Sequence, residues 1–355
     1  IRLSLVGSEM CIRDRCGSGA PVNTVSTRTL SSRPPVDYIG MWYRARAGLG
    51  IDDRIEFIFI DPCSGERDTV ALRHRDHDGV GGIAQALKQR GVAQPPMPLS
   101  RQKQAPRWWQ RWQRLPHDLP AREPVWRHWR GFPGQAECEE IEDSPVCVQW
   151  LNPAQTRALY QRAHQNKVSV NSLLLLALHR AVCDTLMLHG IAGSWCFPVN
   201  MRGVVPMLRA DMNLSSAFYL TVDHEDKAAR LDRSVRGYLK ANVHWRYWHL
   251  ARIGRLIGQR GVNWLCGRLQ KGTQHCGSFS SLGEWEIDFA SAGMPKDTVF
   301  ACCGPGSPSH PVANGVIVVN GCMSLSLKVH SSLGAPQATV RRCLQRWVNW
   351  LGVVE

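Results

Sequence analysis

Residues 55–82 read IEFIFIDPCSGERDTVALRHRDHDGVGG, and this stretch sets the fold reading for the whole chain. Two runs rich in β-branched and aromatic residues, IEFIFID and TVALRH, flank the loop CSGERD with its glycine, which predicts a β-hairpin. His74 therefore stands at a strand end. After Asp78-Gly79-Val80-Gly81-Gly82 the stretch IAQALKQR has helical spacing, so Arg73-His74-Arg75-Asp76-His77-Asp78-Gly79 occupies a strand-to-helix junction.

Outward from that junction, residues 92–143 carry eight prolines from Pro95 to Pro133 and read as a linker or crossover. A second block opens with a strand near Val146 to Leu151. Asn152-Pro153 then caps a helix running to about His164, with proline in its first turn. SLLLLALHRAVCDTLML is apolar on nearly every side and belongs in a core. SWCFPVNMRG reads as a buried strand ending in a turn, and residues 225–271 read as amphipathic helix. Strands near Val316 to Val319 and Ser324 to Val329 precede a closing helix, Pro336 to Leu351. Residues 1–15, IRLSLVGSEMCIRDR, resemble translated sequencing-adapter read-through and are set apart from the fold. With Ile1 in place of an initiator methionine, they point to a chain whose first subdomain is incomplete. The expected divisions are 1–15, a remnant of an N-terminal subdomain at 16–91, the crossover at 92–143 and a C-terminal subdomain at 144–355.

Composition narrows the function classes. A hydrophobic content of 44% over 355 residues suits a packed globular protein. The longest strongly apolar run, around Leu173 to Leu178, is far shorter than the roughly 20 residues that span a bilayer. The 13 cysteines are scattered without regular spacing, which suits reduced thiols in a cytoplasmic enzyme. No Cys-x-x-Cys or His-x-x-x-His pair offers local zinc-ligand spacing, so no metal is expected. The formal net charge of +14 favours acidic partners: nucleic acid, an anionic membrane or a phosphate-bearing carrier. No nucleic-acid recognition motif accompanies that charge. Gly79-Val80-Gly81-Gly82 lacks both the Gly-x-Gly-x-x-Gly spacing and a P-loop lysine, and no Gly-x-Ser-x-Gly elbow occurs. Ser307-Pro308-Ser309-His310, after Cys302-Cys303, reads as a floor loop.

His74, Asp78 and Gly79 form His-x-x-x-Asp-Gly at a strand end, and this resembles the shared motif of the chloramphenicol acetyltransferase superfamily, which includes condensation domains and wax-ester synthases. Three further segments follow in the family's order: NKVSVNSLLLLALHRAV, PVNMRG with Met212-Asn213, and GSFSSLGEW. The chain departs from the pattern in two places. Arg73 stands where the fuller condensation motif has a first histidine, and Ser281 stands where asparagine is usual.

The resemblance implies an α/β fold of two similar subdomains in a V with a central tunnel, and direct acyl transfer without an acyl-enzyme. His74 would be the general base, a role that neutral imidazole suits at cytoplasmic pH. Ser280 would donate to the tetrahedral oxyanion. Asp78 would pair with Arg202 and hold the loop, and Gly79 would let the backbone approach the acyl group. No cofactor is held permanently. The co-substrate would be acyl-CoA or an acyl-phosphopantetheine on an acidic carrier protein, and the acceptor a small-molecule or lipid alcohol or amine. A non-catalytic binding or scaffold protein on the same fold is the alternative. The Trp-rich crossover, with Trp108, Trp109, Trp112, Trp126 and Trp129 among Arg107, Arg111, Arg114, Arg122, Arg127 and Arg130, suggests two placements. Either it docks a cytoplasmic enzyme on the inner membrane or it packs on the subdomains.

Overall fold

A computed structural model describes residues 38–102, 104–107, 121–130, 144–271 and 274–353. In the first block, helix α1 (Tyr38–Ala47) precedes strands β1 (Arg54–Ile60) and β2 (Arg67–Arg73), and helix α2 (Gly79–Gln89) follows them. β1 and β2 pair antiparallel with Arg54 opposite Arg73, which is the hairpin the sequence suggested. Its inner strand carries Phe57 and Phe59 into a cluster with Ile83, Leu87, Phe289 and Phe300. The Asp78 side chain accepts from the amide of Gly81 and so caps α2. A Cβ on Gly81 would lie 2.0 Å from the carbonyl oxygen of Asp211, so only glycine admits that close approach.

The second block contributes β3 (Cys147–Leu151), α3 (Pro153–Gln165), α4 (Val170–Thr185), β4 (Gly193–Asn200) and β5 (Ser215–Val222). Three helices follow, α5 (Ala228–Lys240), α6 (Val243–Ala251) and α7 (Gly254–Lys271). The chain closes with β6 (Gly277–Ser278), β7 (Ser281–Trp285), β8 (Val299–Cys303), β9 (Val312–Val319), β10 (Cys322–Val329) and α8 (Gln337–Leu351). Asn152 and Gln155 form a reciprocal capping box at α3, which explains why the helix starts where Asn-Pro places it.

These strands make two sheets: one of three strands in the order β2-β1-β8, and one of seven in the order β3-β10-β9-β6-β4-β5 with β7 also on β9. The fold is mixed α/β. β9 is buried along its whole length, as befits a central strand covered on both faces. The main core joins Leu174, Leu175 and Leu178 of α4 to Trp195, Phe218, Leu325 and Trp347. β8 lies within residues 144–355, yet it pairs antiparallel with β1 and completes the small sheet of the first block. The two sheets meet where β8 passes β9. A Cβ on Gly315 would stand 1.9 Å from the carbonyl oxygen of Cys302.

The described crossover begins against the first block, where Val92 joins the Phe57 cluster and Gln94 Nε2 donates to Ala84 O, and then runs against the second. The amide of Ser100 donates to Arg202 O, and Leu188 donates to Val125 O. Trp126 is buried and Trp129 packs on the main core. For these two residues the packing placement is the one the structure describes. Trp108, Trp109 and Trp112 lie outside the described residues. No described helix is long and apolar enough to cross a membrane.

Candidate active site

A cavity of about 430 Å³ lies between the two sheets, and its lining includes His74, Asp78, Gly79, Arg202 and Ser280. All five residues singled out in the sequence are thus brought to one place. They arrive from the end of β2, the start of α2, the turn after β4, and the segment between β6 and β7.

His74 is held at three points. Its amide donates to Asp53 O at 2.7 Å, and its carbonyl accepts from Asn213 Nδ2 at 2.7 Å. Its ring Nδ1 stands 3.1 Å from the carbonyl oxygen of His77. Asn213 Nδ2 also lies 3.2 Å from Nδ1 but donates to the His74 carbonyl at the shorter distance, and the His77 carbonyl can only accept, so the proton goes to Nδ1 and Nε2 is left as the basic nitrogen. Nε2 has no partner among the described residues. The tilted ring of Tyr43 flanks the imidazole at 5.4 Å between centroids. Burial, above all, pushes the His74 imidazole below its ordinary pKa. Arg46 acts in the same direction, while Asp78 and the backbone hydrogen bonds oppose it. The neutral form is therefore favoured at pH 7.

Asp78 and Arg202 form a bidentate pair, Nη1 to Oδ2 and Nη2 to Oδ1, both at 2.7 Å. They are 3% and 1% exposed. Neither is left with an unused polar side. Asp78 also accepts from the amides of Gly81 and Leu214, while Arg202 also donates to the carbonyls of Ala210 and Met212. The pair ties the 74–79 loop to the 210–214 segment. His77, in the same loop, donates from Nδ1 to Asp211 O at 2.7 Å. Gly79 opens α2, where a Cβ would lie 2.6 Å from Leu282 Cδ2.

The hydroxyl of Ser280 has no hydrogen-bond partner among the described residues. Its backbone is clamped by Asn314, whose Oδ1 accepts from the Ser280 amide at 3.2 Å and whose Nδ2 donates to Ser278 O. Ser281 also lines the cavity.

The lining contains groups to which no role was assigned from sequence. Asn213 positions His74, a contact foreshadowed only by its place after PVNMRG. Tyr43 and Arg46 come from α1, which the sequence reading left out. Tyr219 of β5 and His310 of the floor loop meet at 3.0 Å, hydroxyl to Nε2. Gln270 Oε1 accepts from Ser309 Oγ, so Ser309 accepts from His310 Nδ1, and Tyr219 must donate to Nε2. Burial holds His310 well below its ordinary pKa and Tyr219 well above its own, so both are neutral.

No family model and no curated protein matches the chain. Among solved structures it is similar to the EpoB cyclization-docking bidomain of Sorangium cellulosum, at 14% identity and a TM-score of 0.49 over 80% of this chain and 59% of that one. It is also similar to the epimerization domain from the third module of tyrocidine synthetase B, at 14% identity and a TM-score of 0.43 over 81% of this chain and 68% of that one. A third similar structure is the trichothecene 15-O-acetyltransferase of Fusarium sporotrichioides, with 14% identity and a TM-score of 0.37. It is matched over 61% of this chain and 49% of its own, and the chain spans less than two thirds of that enzyme and of the bidomain.

Proposed function

We propose that the chain transfers an acyl group from a thioester to an alcohol or amine, with His74 as general base. The observation that carries this reading is the tautomer: Nδ1 is committed to the His77 carbonyl, and the half-buried ring presents an unpartnered Nε2 in a cavity large enough for two small reacting groups. In the reaction, Nε2 takes the proton of the acceptor hydroxyl or amine as its lone pair attacks the thioester carbonyl. The carbonyl oxygen becomes an oxyanion that accepts from the Ser280 hydroxyl, a contact worth about 3 kcal/mol in comparable sites. The tetrahedral centre then collapses, the carbon–sulfur bond breaks, and the imidazolium returns its proton to the departing thiolate. Asp78 and Arg202 hold the loop and touch no reacting atom.

The donor would be acyl-CoA or an acyl-phosphopantetheine on an acidic carrier, either of which suits a chain of net charge +14. The test is release of free CoA by the full chain, offered a panel of acyl-CoAs with alcohols and amines. His74→Ala should lower turnover by roughly 100-fold while the far-ultraviolet circular dichroism stays unchanged. Equal turnover in the two proteins would overturn the assignment of the base.

A further inference from the structure

Arg46 of α1 lines the same cavity as His74. Its guanidinium carbon lies 5.8 Å from the centroid of Tyr43, the ring that also flanks His74. Its Nε is buried without a hydrogen-bond partner, and it forms no ion pair among the described residues.

The remaining wall does nothing to neutralise this charge. Asp78 is the sole acid among the described residues lining the cavity. Both of its oxygens are already taken by Arg202 and two backbone amides. Tyr219 and His310 are neutral, and burial pushes the Cys196 thiol up to about 12. The cavity is therefore left with one positive charge that no described residue balances. A half-buried guanidinium with no acid against it among the described residues is open to an anion, and its planar fork matches a carboxylate in geometry as well as sign.

We propose that the cavity takes an acceptor bearing a carboxylate, a hydroxy acid or amino acid, whose carboxylate is held by Arg46 while its hydroxyl or amine meets Nε2 of His74. This assignment of the acceptor rests on the acyl-transfer reading. The donor does not supply the anion, because a pantetheine arm is uncharged along its length and carries its phosphate at the end remote from the sulfur. Arg46 stands one aromatic ring away from the base, on the scale of a small acceptor.

Calorimetric titration of the full chain tests the assignment without turnover. The probes are 3-hydroxybutyrate, salicylate and phenylalanine, the methyl ester of each, and 4′-phosphopantetheine. At least one acid should bind, and its ester should bind about tenfold more weakly or worse. Arg46→Gln should remove that preference while leaving ester binding unchanged, and Arg46→Lys should restore part of it. His74→Ala should keep it. Failure of all three acids to bind, or an acid preference that persists in Arg46→Gln, would overturn the proposal. So would dependence on Arg46 that appears with 4′-phosphopantetheine and not with the acids. If the acids bind through Arg46 and no acyl group is ever moved, carboxylate recognition stands and the transfer reading falls.

Discussion

Arg202 donates to both oxygens of Asp78 and to the carbonyls of Ala210 and Met212, whereas Arg46, in the wall of the same cavity, has a buried Nε with no partner. The difference separates two uses of one side chain. Every donor that Arg202 spends on protein fixes the 74–79 loop, so its charge is unavailable to a ligand. Arg46 spends none among the described residues, so its charge stays available to an incoming anion. Satisfaction, more than type or position in the cavity, distinguishes the clamp from the recognition group.

The largest effect should come from breaking the satisfied pair. Asp78→Ala leaves the Arg202 guanidinium buried and unbalanced, a loss of about 3–5 kcal/mol in unfolding free energy by urea titration. Joint replacement by Asp78→Leu and Arg202→Met should recover part of it, the Gly81 and Leu214 amides staying without their acceptor. A single variant within about 1 kcal/mol of wild type would dissolve the contrast between the two arginines.

A smaller effect should appear in the pH profile. The base must be neutral, so kcat/KM should rise with pH to a plateau. Burial lowers the His74 pKa, which puts the half-maximal point below the ordinary value near ~6.5. Arg46 contributes to that lowering, so Arg46→Gln should move the point upward. No movement would place the Arg46 charge out of reach of the base. The sign for folding follows from the same shift. A histidine whose folded pKa is depressed costs stability only as pH drops below its unfolded value, where the unfolded chain takes up a proton that the native state resists.

The smallest effect is the most discriminating. With ligand absent, Arg46→Gln should change the unfolding free energy by no more than about 0.5 kcal/mol, because no hydrogen bond is lost. Arg202→Gln should approach the cost of Asp78→Ala. Equal losses at the two positions would show that Arg46 has a structural partner after all.

Much of the candidate site is legible in the sequence alone. The hairpin, the position of His74 at its end and the Asn152-Pro153 helix start are local matters, decided by β-branched runs, turn residues and caps within a few positions of one another. Arg202 was reachable through the order of segments along the chain. Other features had no local signal. α1 contains Arg44 and Arg46 among aromatic residues and carries little amphipathic contrast, so nothing in YIGMWYRARA announced a helix facing a cavity. β5 to β8 were also missed, because short strands inside apolar or glycine-containing sequence lack a clean period.

The sequence by itself determined where the candidate residues stand: a histidine at its strand end, and an aspartate and a glycine at the start of the helix that follows. Only the tertiary structure decided their states. Which nitrogen of His74 is free depends on the His77 carbonyl. Whether a given arginine is clamp or receptor depends on Asp78, Ala210 and Met212 converging on Arg202 and on no described group hydrogen-bonding to the Arg46 side chain. The first outcome is a contact across three residues, while the second turns on segments more than a hundred residues apart, where Arg202 and the 210–214 segment meet the loop before α2. Hydrogen-bond satisfaction is a property of that assembled neighbourhood, and composition and spacing along the chain carry no record of it.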